Sequence, residues 1–276
     1  MPELPEVETA LRGIQPYISG AKLTTVNIRN STLRWPIPVA DVECLIGEQI
    51  TELKRRAKYI LMKTQQGSLM LHLGMSGSVR ILAVADLVEP GRHDHVDLGF
   101  QNPAGETYVL RYHDPRKFGS LLFVENDSEH HLLNKLGPEP LTAAFNSDYL
   151  FTQSRNRKVA IKNFIMNNQV VVGVGNIYAS EALFLANINP ARPAGKLSQK
   201  AYKKLVETIK HVLEKAIKVG GTTLRDFTQS DGNAGYFAQQ LNVYDREGED
   251  CRICQTKIMR KVIGQRSSFY CPQCQR

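Results

Sequence analysis

The sequence predicts a multidomain α+β fold, because strand patterns and helix patterns occupy different parts of its 276 residues. Between Lys22 and Glu125, short runs that alternate polar and apolar residues are typical of the strands of an antiparallel sandwich or barrel-like domain. After residue 141, apolar residues recur at helical spacing instead. Two closely spaced pairs of cysteines then end the sequence.

A helix precedes the strand-rich part, and we expect it from Pro5 to Ser19. Gly20 ends it, and Pro16 should bend it or end it early, because a proline removes one backbone donor. Eight strands follow, at residues 23–28, 49–53, 59–64, 68–73, 78–82, 95–100, 107–112 and 120–124. Turns with glycine at 65–67 and 102–105 indicate hairpins between some of these strands.

The second half contains two clear helices. One covers residues 176–186, directly after Gly173-Val174-Gly175. The other has its apolar positions between Leu197 and Ala216, with Ser198 as a possible cap and Gly220-Gly221 at its end. These patterns predict a strand-rich domain at 1–134, a linker at 135–141, a helical domain at 142–241 and a cysteine-rich domain at 242–276.

Four of the five cysteines form two Cys-x2-Cys pairs with sixteen residues between the pairs: Cys251, Cys254, Cys271 and Cys274. This spacing is typical of a zinc ribbon, in which two tight turns supply four thiolates to one metal ion. Four thiolates leave no open position on zinc, so we expect one structural Zn²⁺. An iron–sulfur site is the alternative. Cys44 is expected to be a small buried apolar residue.

The N-terminal residues argue against an oxidising compartment, and therefore against disulfides. They are acidic and lack the basic and apolar regions of a signal peptide. No apolar run approaches the roughly 18–20 residues of a membrane span. We expect a cytoplasmic protein without a membrane partner.

The charge of the chain is strongly positive, with a net charge of +8 and a pI near 9.2. Basic clusters lie at 54–58 and 155–158, and residues 251–276 contain six basic residues and no acidic one. Any single cluster can be an ordinary solvated surface. Basic clusters in distant parts of a chain that also has a zinc ribbon favour a nucleic acid as the partner.

Pro2 is the most unusual chemical feature of the sequence. Removal of the preceding methionine would leave a secondary amine at the terminus, with Glu3 and Glu6 close by. A terminal amine titrates near 7.7–8 and a lysine at about 10.4, so more of the terminal amine is neutral and able to attack carbon. The plain alternative is a helix start, with proline in the first turn and acids at the positive end of the helix.

Six motifs distributed over the whole chain together resemble one family of enzymes. They are Pro2-Glu3-Leu4-Pro5-Glu6-Val7-Glu8, Arg55-Arg56-Ala57-Lys58-Tyr59, His72-Leu73-Gly74-Met75-Ser76-Gly77, Asp114-Pro115-Arg116-Lys117-Phe118-Gly119, Gly173-Val174-Gly175-Asn176-Ile177-Tyr178-Ala179-Ser180-Glu181 and Gln265-Arg266-Ser267-Ser268-Phe269-Tyr270-Cys271. In content and order they strongly resemble the bacterial formamidopyrimidine-DNA glycosylase family, which repairs 8-oxoguanine. The resemblance implies an N-terminal β-sandwich with a leading helix. It also implies a C-terminal helix–two-turn–helix domain with a zinc finger, and DNA in a basic cleft between the lobes.

The resemblance also implies the chemistry of four residues. Pro2 attacks C1′ of the damaged nucleotide and forms a Schiff base, and Glu3 is a general acid toward the deoxyribose. Lys58 matches the lysine of β-elimination, and Arg266 matches the arginine of δ-elimination. Because an arginine hardly deprotonates, Arg266 is better interpreted as a bidentate clamp on phosphates.

Further positions match the DNA-contacting residues of the family. Met75, Arg116 and Phe118 match a trio that fills the space left by the everted base, and the flanking Gly74, Gly77 and Gly119 favour exposed turns over the core alternative. His93, Arg116, Arg157 and Asn176 match DNA contacts, although Asn176 can simply cap its helix. Glu6 and Glu181 are second-tier candidates for orienting the amine and the sugar, and the alternative is an ordinary role as helix acids. Residues 222–236 resemble a loop that closes over the everted base.

The resemblance implies a monomer that acts on double-stranded DNA with oxidised purines or abasic sites, on the bacterial nucleoid and without an organic cofactor. Three alternatives remain open. One is endonuclease VIII, the sister glycosylase that prefers oxidised pyrimidines but differs at the Pro2 motif and lacks the Arg116-Lys117-Phe118 segment. The others are an inactive protein that recognises damaged DNA and a zinc-ribbon transcription factor.

Overall fold

The computed structural model describes residues 2–221 and 241–276. The described residues form two compact units, which are 2–134 with 219–221 and 135–218 with 241–276. Residues 241–276 therefore belong to the same unit as the helices before them. The domain and linker boundaries expected from the sequence remain predictions.

The first unit begins with helix α1 (Leu4–Ile18), which starts at Glu3 with a capping box. The backbone N–H of Glu3 donates to Glu6 Oε2 at 2.8 Å, and the Glu3 carboxylate accepts from the Glu6 N–H. The expectation that Pro16 ends the helix early is wrong, because α1 continues to Ile18. Ile18 is fully buried, and its packing holds the last turn although Pro16 removes one backbone bond.

Two four-stranded antiparallel sheets follow α1. Their strands are β1 (Lys22–Ile28), β2 (Glu52–Arg56), β3 (Tyr59–Lys63), β4 (Ser68–His72), β5 (Ser78–Ala83), β6 (Asp94–Gln101), β7 (Thr107–His113) and β8 (Ser120–Val124). The strand orders are β1-β6-β7-β5 and β2-β3-β4-β8. A short helix, α2 (Val39–Glu43), lies between β1 and β2. Both sheets and α1 contribute to one core, which includes Ile14, Leu23, Ile60, Leu71 and Phe100.

The second predicted strand lies about three residues later than expected. The sequence predicts it at 49–53, whereas β2 is Glu52–Arg56 and contains a run of three basic residues. That run is compatible with a strand because the charges of its first two residues are paired. Lys54 lies 3.1 Å from Asp127, and the Arg55 Nε donates to Glu8 at 2.9 Å.

The second unit contains four described α-helices and one hairpin. They are α3 (Ser147–Ser154), α4 (Ile161–Ile165), α5 (Asn176–Ala186), α6 (Gln199–Lys218), β9 (Met259–Ile263) and β10 (Arg266–Tyr270). The prediction that Ser198 caps α6 is confirmed, because its Oγ accepts from the Ala201 N–H at 3.2 Å. None of the helices in the described ranges combines the length and apolar character that crossing a membrane requires.

Candidate active site

The start of α1 places three candidate residues together in buried positions. Pro2 is buried, and Glu3 and Glu6 are about 1% and 2% exposed. The backbone of Gly221 lies against the same site. A Cβ added at this position would lie 3.1 Å from Glu6 Oε1. Gly221 also has a φ of +80°, which favours glycine. Glu6 therefore caps the start of α1 through the Glu3 N–H, and the same capping box fixes the Glu3 carboxylate next to Pro2.

Lys58 lies in the two-residue turn Ala57-Lys58 that joins β2 to β3. Ala57 adopts a left-handed conformation with φ of 54°, so the turn needs support from outside. Arg55 supplies it, because its Nη1 donates to the Ala57 carbonyl at 3.1 Å while its Nε binds Glu8. The interpretation of Arg55 as a solvated charge is therefore wrong, and it supports the turn that carries Lys58.

His72, the last residue of β4, is a site residue that the sequence alone does not single out. Its ring lies 5.0 Å from the Tyr59 ring, and its Nδ1 accepts from the Gly74 N–H at 3.0 Å. Burial is the main cause that lowers the pKa of His72 to about 4, and the nearby positive charges of Lys58 and Arg34 contribute in the same direction. His72 is therefore neutral near pH 7, with its proton on Nε2. The signal in the sequence was its position inside the motif that contains Met75.

A pH titration tests this environment of His72. Because the folded pKa lies below the ordinary 6.5, the unfolded chain binds more protons between pH 6.5 and 4. The free energy of unfolding should therefore fall by about 3 kcal/mol from this group as the pH drops through that window. Denaturant unfolding of His72→Gln should lose this part of the pH dependence. His211→Gln, which changes an exposed histidine of α6, should keep it. An equal pH slope in both variants would contradict the assignment.

The predicted space-filling residues lie in two turns of the first unit. Met75 follows β4 and is half-buried, and residues 115–118 form an exposed tip between the buried Asp114 and Gly119. Phe118 is 43% exposed, and the Arg116 guanidinium lies 5.0 Å from its ring centroid. The structure places Met75 and Phe118 around one open cavity of about 610 Å³, which is lined by Leu33, Arg34, His72, Gly74, Met75, Lys117 and Phe118.

His93 lies half-buried just before β6, among other titratable groups. Its ring meets those of His113 and His95 edge-on at 5.9 and 6.5 Å. The neighbouring Asp94 binds Gly91 N–H, Arg80 and His113 at 2.8 to 3.0 Å. Burial opposes ionisation of Asp94, but these hydrogen bonds and charges outweigh it and hold its pKa below the usual value. Asp94 therefore fixes the segment that carries His93.

Arg266 is exposed at the first position of β10, next to a tight turn in which Gly264 and Gln265 both have positive φ. The residues after it are anchored to the helices of the second unit. Lys162 Nζ donates to the Ser267 carbonyl at 3.1 Å and to Ser268 Oγ at 2.7 Å. This buried lysine was not recognised as an anchor from the sequence, where it only followed a basic cluster.

Asn176 and Arg157 lie at the ends of helices in the second unit. Asn176 is the first residue of α5, but Gly175 occupies the cap position, so the alternative that Asn176 caps its helix is wrong. Its Nδ2 donates instead to the Ser267 carbonyl at 3.0 Å. Arg157 is exposed after the left-handed Asn156, and its carbonyl accepts from the Gly195 N–H at 2.8 Å.

Glu181 has a structural role that accounts for both of its carboxylate oxygens. They accept from the backbone N–H groups of residues 242–244 and from Asn242 Nδ2, at 2.8 to 3.0 Å. Glu181 is only 2% exposed, so these bonds replace its hydration. The ordinary interpretation of Glu181 fits this structure better than a role at the sugar.

The four paired cysteines form one cluster whose sulfur atoms all lie within 4.8 Å of one another. Three of the Sγ–Sγ distances are 3.4, 3.4 and 3.9 Å. A tetrahedral zinc with bonds of about 2.3 Å requires sulfur atoms about 3.8 Å apart, so the cluster fits a closed structural zinc site. Cys44 does not belong to it. The expectation that Cys44 is buried is wrong, because it is exposed, with its Sγ 3.0 Å from the Asp41 carbonyl.

Three known domain families match successive parts of this chain. The formamidopyrimidine-DNA glycosylase N-terminal domain matches residues 1–121, and the H2TH domain of the same enzymes matches 136–228. A zinc finger found in FPG and IleRS matches 248–276. The formamidopyrimidine-DNA glycosylase of Haemophilus ducreyi is 54% identical over 275 residues, which cover 100% of this chain and 98% of that protein. The chain belongs to the formamidopyrimidine-DNA glycosylase family.

A second formamidopyrimidine-DNA glycosylase, from Alteromonas mediterranea, is also 54% identical, over the full length of both proteins. Solved structures agree with the assignment. The crystal structure of the MutM (Fpg) protein from Thermus thermophilus superposes with a TM-score of 0.87 at 36% identity, covering 99% of this chain and 98% of that one. A Lactococcus lactis Fpg mutant bound to DNA containing Fapy-dG gives 0.89 at 30% identity over the whole of both chains.

Membership in the formamidopyrimidine-DNA glycosylase family fixes the class of enzyme. The chain is a DNA glycosylase of oxidised-purine repair with an abasic-site lyase activity, and its partner is DNA. Its domains are the N-terminal domain, the H2TH domain and the zinc finger of this family, and its zinc is structural.

Proposed function

We propose that Pro2, exposed as the terminal residue by removal of the methionine, is the nucleophile of base excision. Its secondary amine forms a bond to C1′ as the bond from C1′ to the purine nitrogen breaks, and the base leaves with a proton. The observation that carries this proposal is the buried group of Pro2, Glu3 and Glu6 at the start of α1. An oriented carboxylate beside an amine is the arrangement that activates a nucleophile and manages its protons.

Glu3 then serves as the general acid. It protonates the ring oxygen of the deoxyribose, the sugar opens, and a cationic Schiff base remains between Pro2 and C1′. The iminium withdraws electrons, so a proton at C2′ becomes acidic and the 3′ phosphate leaves by β-elimination. A second elimination expels the 5′ phosphate. The capping box supports this role, because it fixes the Glu3 carboxylate one residue from the amine.

Lys58 and Arg266 act on the phosphates during these eliminations. The supported turn at Ala57-Lys58 holds the Lys58 ammonium near His72, where it can meet the phosphate beside the lesion. Arg266 clamps phosphates with its planar guanidinium, and the anchoring of Ser267 and Ser268 fixes the strand that carries it. Zinc supplies no chemistry here beyond holding the ribbon folded.

The remaining candidate residues hold the distorted DNA. Everting a base from the duplex costs a few kcal/mol, and a side chain that fills the vacated space recovers part of it. We assign this filling to Met75, Arg116 and Phe118, two of which already lie around one cavity. His93, Arg157 and Asn176 contact the DNA backbone. The predicted closing loop at 222–236 lies outside the described residues.

The substrate is an oxidised purine, and the enzyme acts as a monomer in the bacterial cytoplasm, on the nucleoid. The names of the relatives and the Fapy-dG complex of the Lactococcus lactis enzyme support the substrate. The net charge of +8 supports attraction to a polyanion.

A duplex-cleavage assay tests the proposed function. Duplexes with 8-oxoguanine opposite cytosine should be cut, leaving phosphates at both ends of the gap, as two eliminations require. Matched duplexes with thymine glycol should be cut much more slowly. A reversed preference would favour the endonuclease VIII alternative. Tight binding without any cleavage would favour a protein that only recognises damage, and preference for one undamaged sequence would favour a transcription factor.

A further inference from the structure

Asp114 is a buried carboxylate that the proposed mechanism does not use. It is fully buried directly after the end of β7, and its side chain accepts four hydrogen bonds. Ser76 Oγ and the Arg116 N–H donate to Oδ1 at 3.1 and 3.2 Å. The Gly119 N–H and the Tyr112 hydroxyl donate to Oδ2 at 2.8 and 3.0 Å. One side chain thus joins the turn after β4 to the loop between β7 and β8.

The Tyr112 hydroxyl is a stable donor to this carboxylate. Burial raises the pKa of Tyr112 above its ordinary value, and the charge of Asp114 raises it further. The hydroxyl therefore stays protonated at all physiological pH values. A hydrogen bond to an ionised acceptor in such a buried place is stronger than one between neutral groups.

The backbones of the two segments also meet at their bases. Gly74 has a φ of +69°, and a Cβ there would lie 2.4 Å from the Gly119 nitrogen. A Cβ on Gly119 would lie 1.9 Å from the Tyr112 hydroxyl oxygen. Neither glycine position has room for a side chain. This close backbone contact fixes the position of the two segments relative to each other.

The tip of the loop is held in a conformation that it would rarely adopt alone. Lys117 lies between Arg116 and Phe118 and has a φ of 55°, in the left-handed region that favours glycine. Such a residue persists where the surroundings determine it. Its N–H donates to the Asp114 carbonyl at 3.3 Å, so Asp114 contacts the loop through both its backbone and its side chain.

We propose that Asp114 is a positioning residue, which holds the Met75 turn and the Arg116–Phe118 loop in the one register that fills the space of an everted base. The inference rests on the proposed function, which assigns the filling to those three side chains. Asp114 itself is buried and touches no DNA. Its effect should therefore be largest in the step that depends on base eversion.

Variants that remove one donor test the inference with the least damage to the fold. Ser76→Ala and Tyr112→Phe each remove one hydroxyl that donates to Asp114. Asp114→Asn changes a buried charge, so its effect on the loops would not be separable from its effect on the fold. Ser78→Ala is the matched control. Ser78 is buried to almost the same degree as Ser76, at 5% and 4% exposure, but is not among the donors to Asp114 in the described chain.

Two reactions of each full-length protein are compared in single-turnover experiments. The first is excision from a duplex with 8-oxoguanine opposite cytosine, and the second is cleavage of the same duplex with a preformed abasic site. Ser76→Ala and Tyr112→Phe should slow excision about tenfold, the scale of one hydrogen bond to a charged group. Abasic-site cleavage should change far less, because eversion is cheapest where no base has to be unstacked. A merely structural role would slow both reactions equally.

A fluorescent base gives a second readout. With 2-aminopurine beside the lesion, insertion of the loop should change the fluorescence in the parent enzyme and in Ser78→Ala. Ser76→Ala and Tyr112→Phe should give a smaller or slower change. Both variants could match Ser78→Ala in excision and fluorescence while Met75→Ala was impaired. That result would overturn the positioning role of Asp114 and leave the space-filling role of Met75 standing. If Met75→Ala also behaved as the parent, the filling role would fail and the inference with it.

Discussion

A chain whose Pro2 nitrogen is blocked by an N-terminal extension is expected to lose strand cleavage and covalent trapping. The rate should fall by at least about 10⁴-fold, the scale seen when a covalent nucleophile is removed from an enzyme. An extension turns the Pro2 nitrogen into an amide, which has no lone pair available for attack on C1′. Borohydride reduction of the reaction with abasic or 8-oxoguanine DNA measures the trapped adduct, and mass mapping of the adduct identifies the attached residue.

Pro5→Ala is the control for the extended chain. It changes the other proline of the same helix start, at the second position of α1, and leaves the terminal nitrogen untouched. It should retain trapping at Pro2 with a modest loss of stability. The DNA affinity of the extended chain should stay close to that of the parent at a fixed salt concentration, because the contacts to phosphate lie elsewhere. An adduct mapped to Lys58, or full cleavage by the extended chain, would refute Pro2 as the nucleophile.

The features that the sequence predicted well depend on neighbours close along the chain. The cysteine pairs define their own turns, and α5 was placed at 176–186, the range that the structure contains. Strand β8 was likewise predicted at its observed residues. In each case, spacing or alternation within a short window determines the local structure.

The side chains that were missed or misread have partners far away in the sequence. Ser76 and Asp114 are 38 residues apart, and Lys162 and Ser268 are 106 apart. Glu181 accepts from a backbone group 62 residues later, so its structural role left no local pattern. A single sequence shows that such residues are polar, but it does not show which of them fold together to satisfy one another.

The same limit explains the displaced strand β2. The sequence predicts this strand at 49–53, directly before the basic cluster at 54–58, which by itself is compatible with a solvated surface. In the structure, Arg55 is paired with Glu8, 47 residues before it, and the side chain is only 11% exposed. Pairing with a distant acid therefore lets a basic run occupy a half-buried strand.

Removing the zinc is expected to unfold the ribbon and to weaken DNA binding. The small core behind the cysteines includes Phe184, Val243, Ile258 and Phe269, which is too little apolar surface to hold a hairpin without the metal. Structural zinc contributes about 10–16 kcal/mol in isolated zinc fingers at pH 7. Without it, Arg266 would lose its fixed position, and the affinity for 8-oxoguanine DNA should fall by at least about tenfold, the scale of a charged hydrogen bond.

The measurement combines metal content, amide hydrogen exchange and DNA affinity at one salt concentration, before and after chelation. Arg266→Ala separates the contribution of the arginine from that of the folded ribbon, because it keeps all four cysteines. Its affinity should lie between those of the zinc-bound and zinc-free proteins.

Cys44→Ser, outside the cluster, should keep the zinc and the affinity, whereas Cys251→Ser should lose both. Protection of α5 and α6 amides should survive chelation, because α6 packs on α3 and α5, while it is α5 that contacts the hairpin strand β10. Verified zinc-free protein that bound DNA as tightly as the parent would show that the hairpin carries no contact.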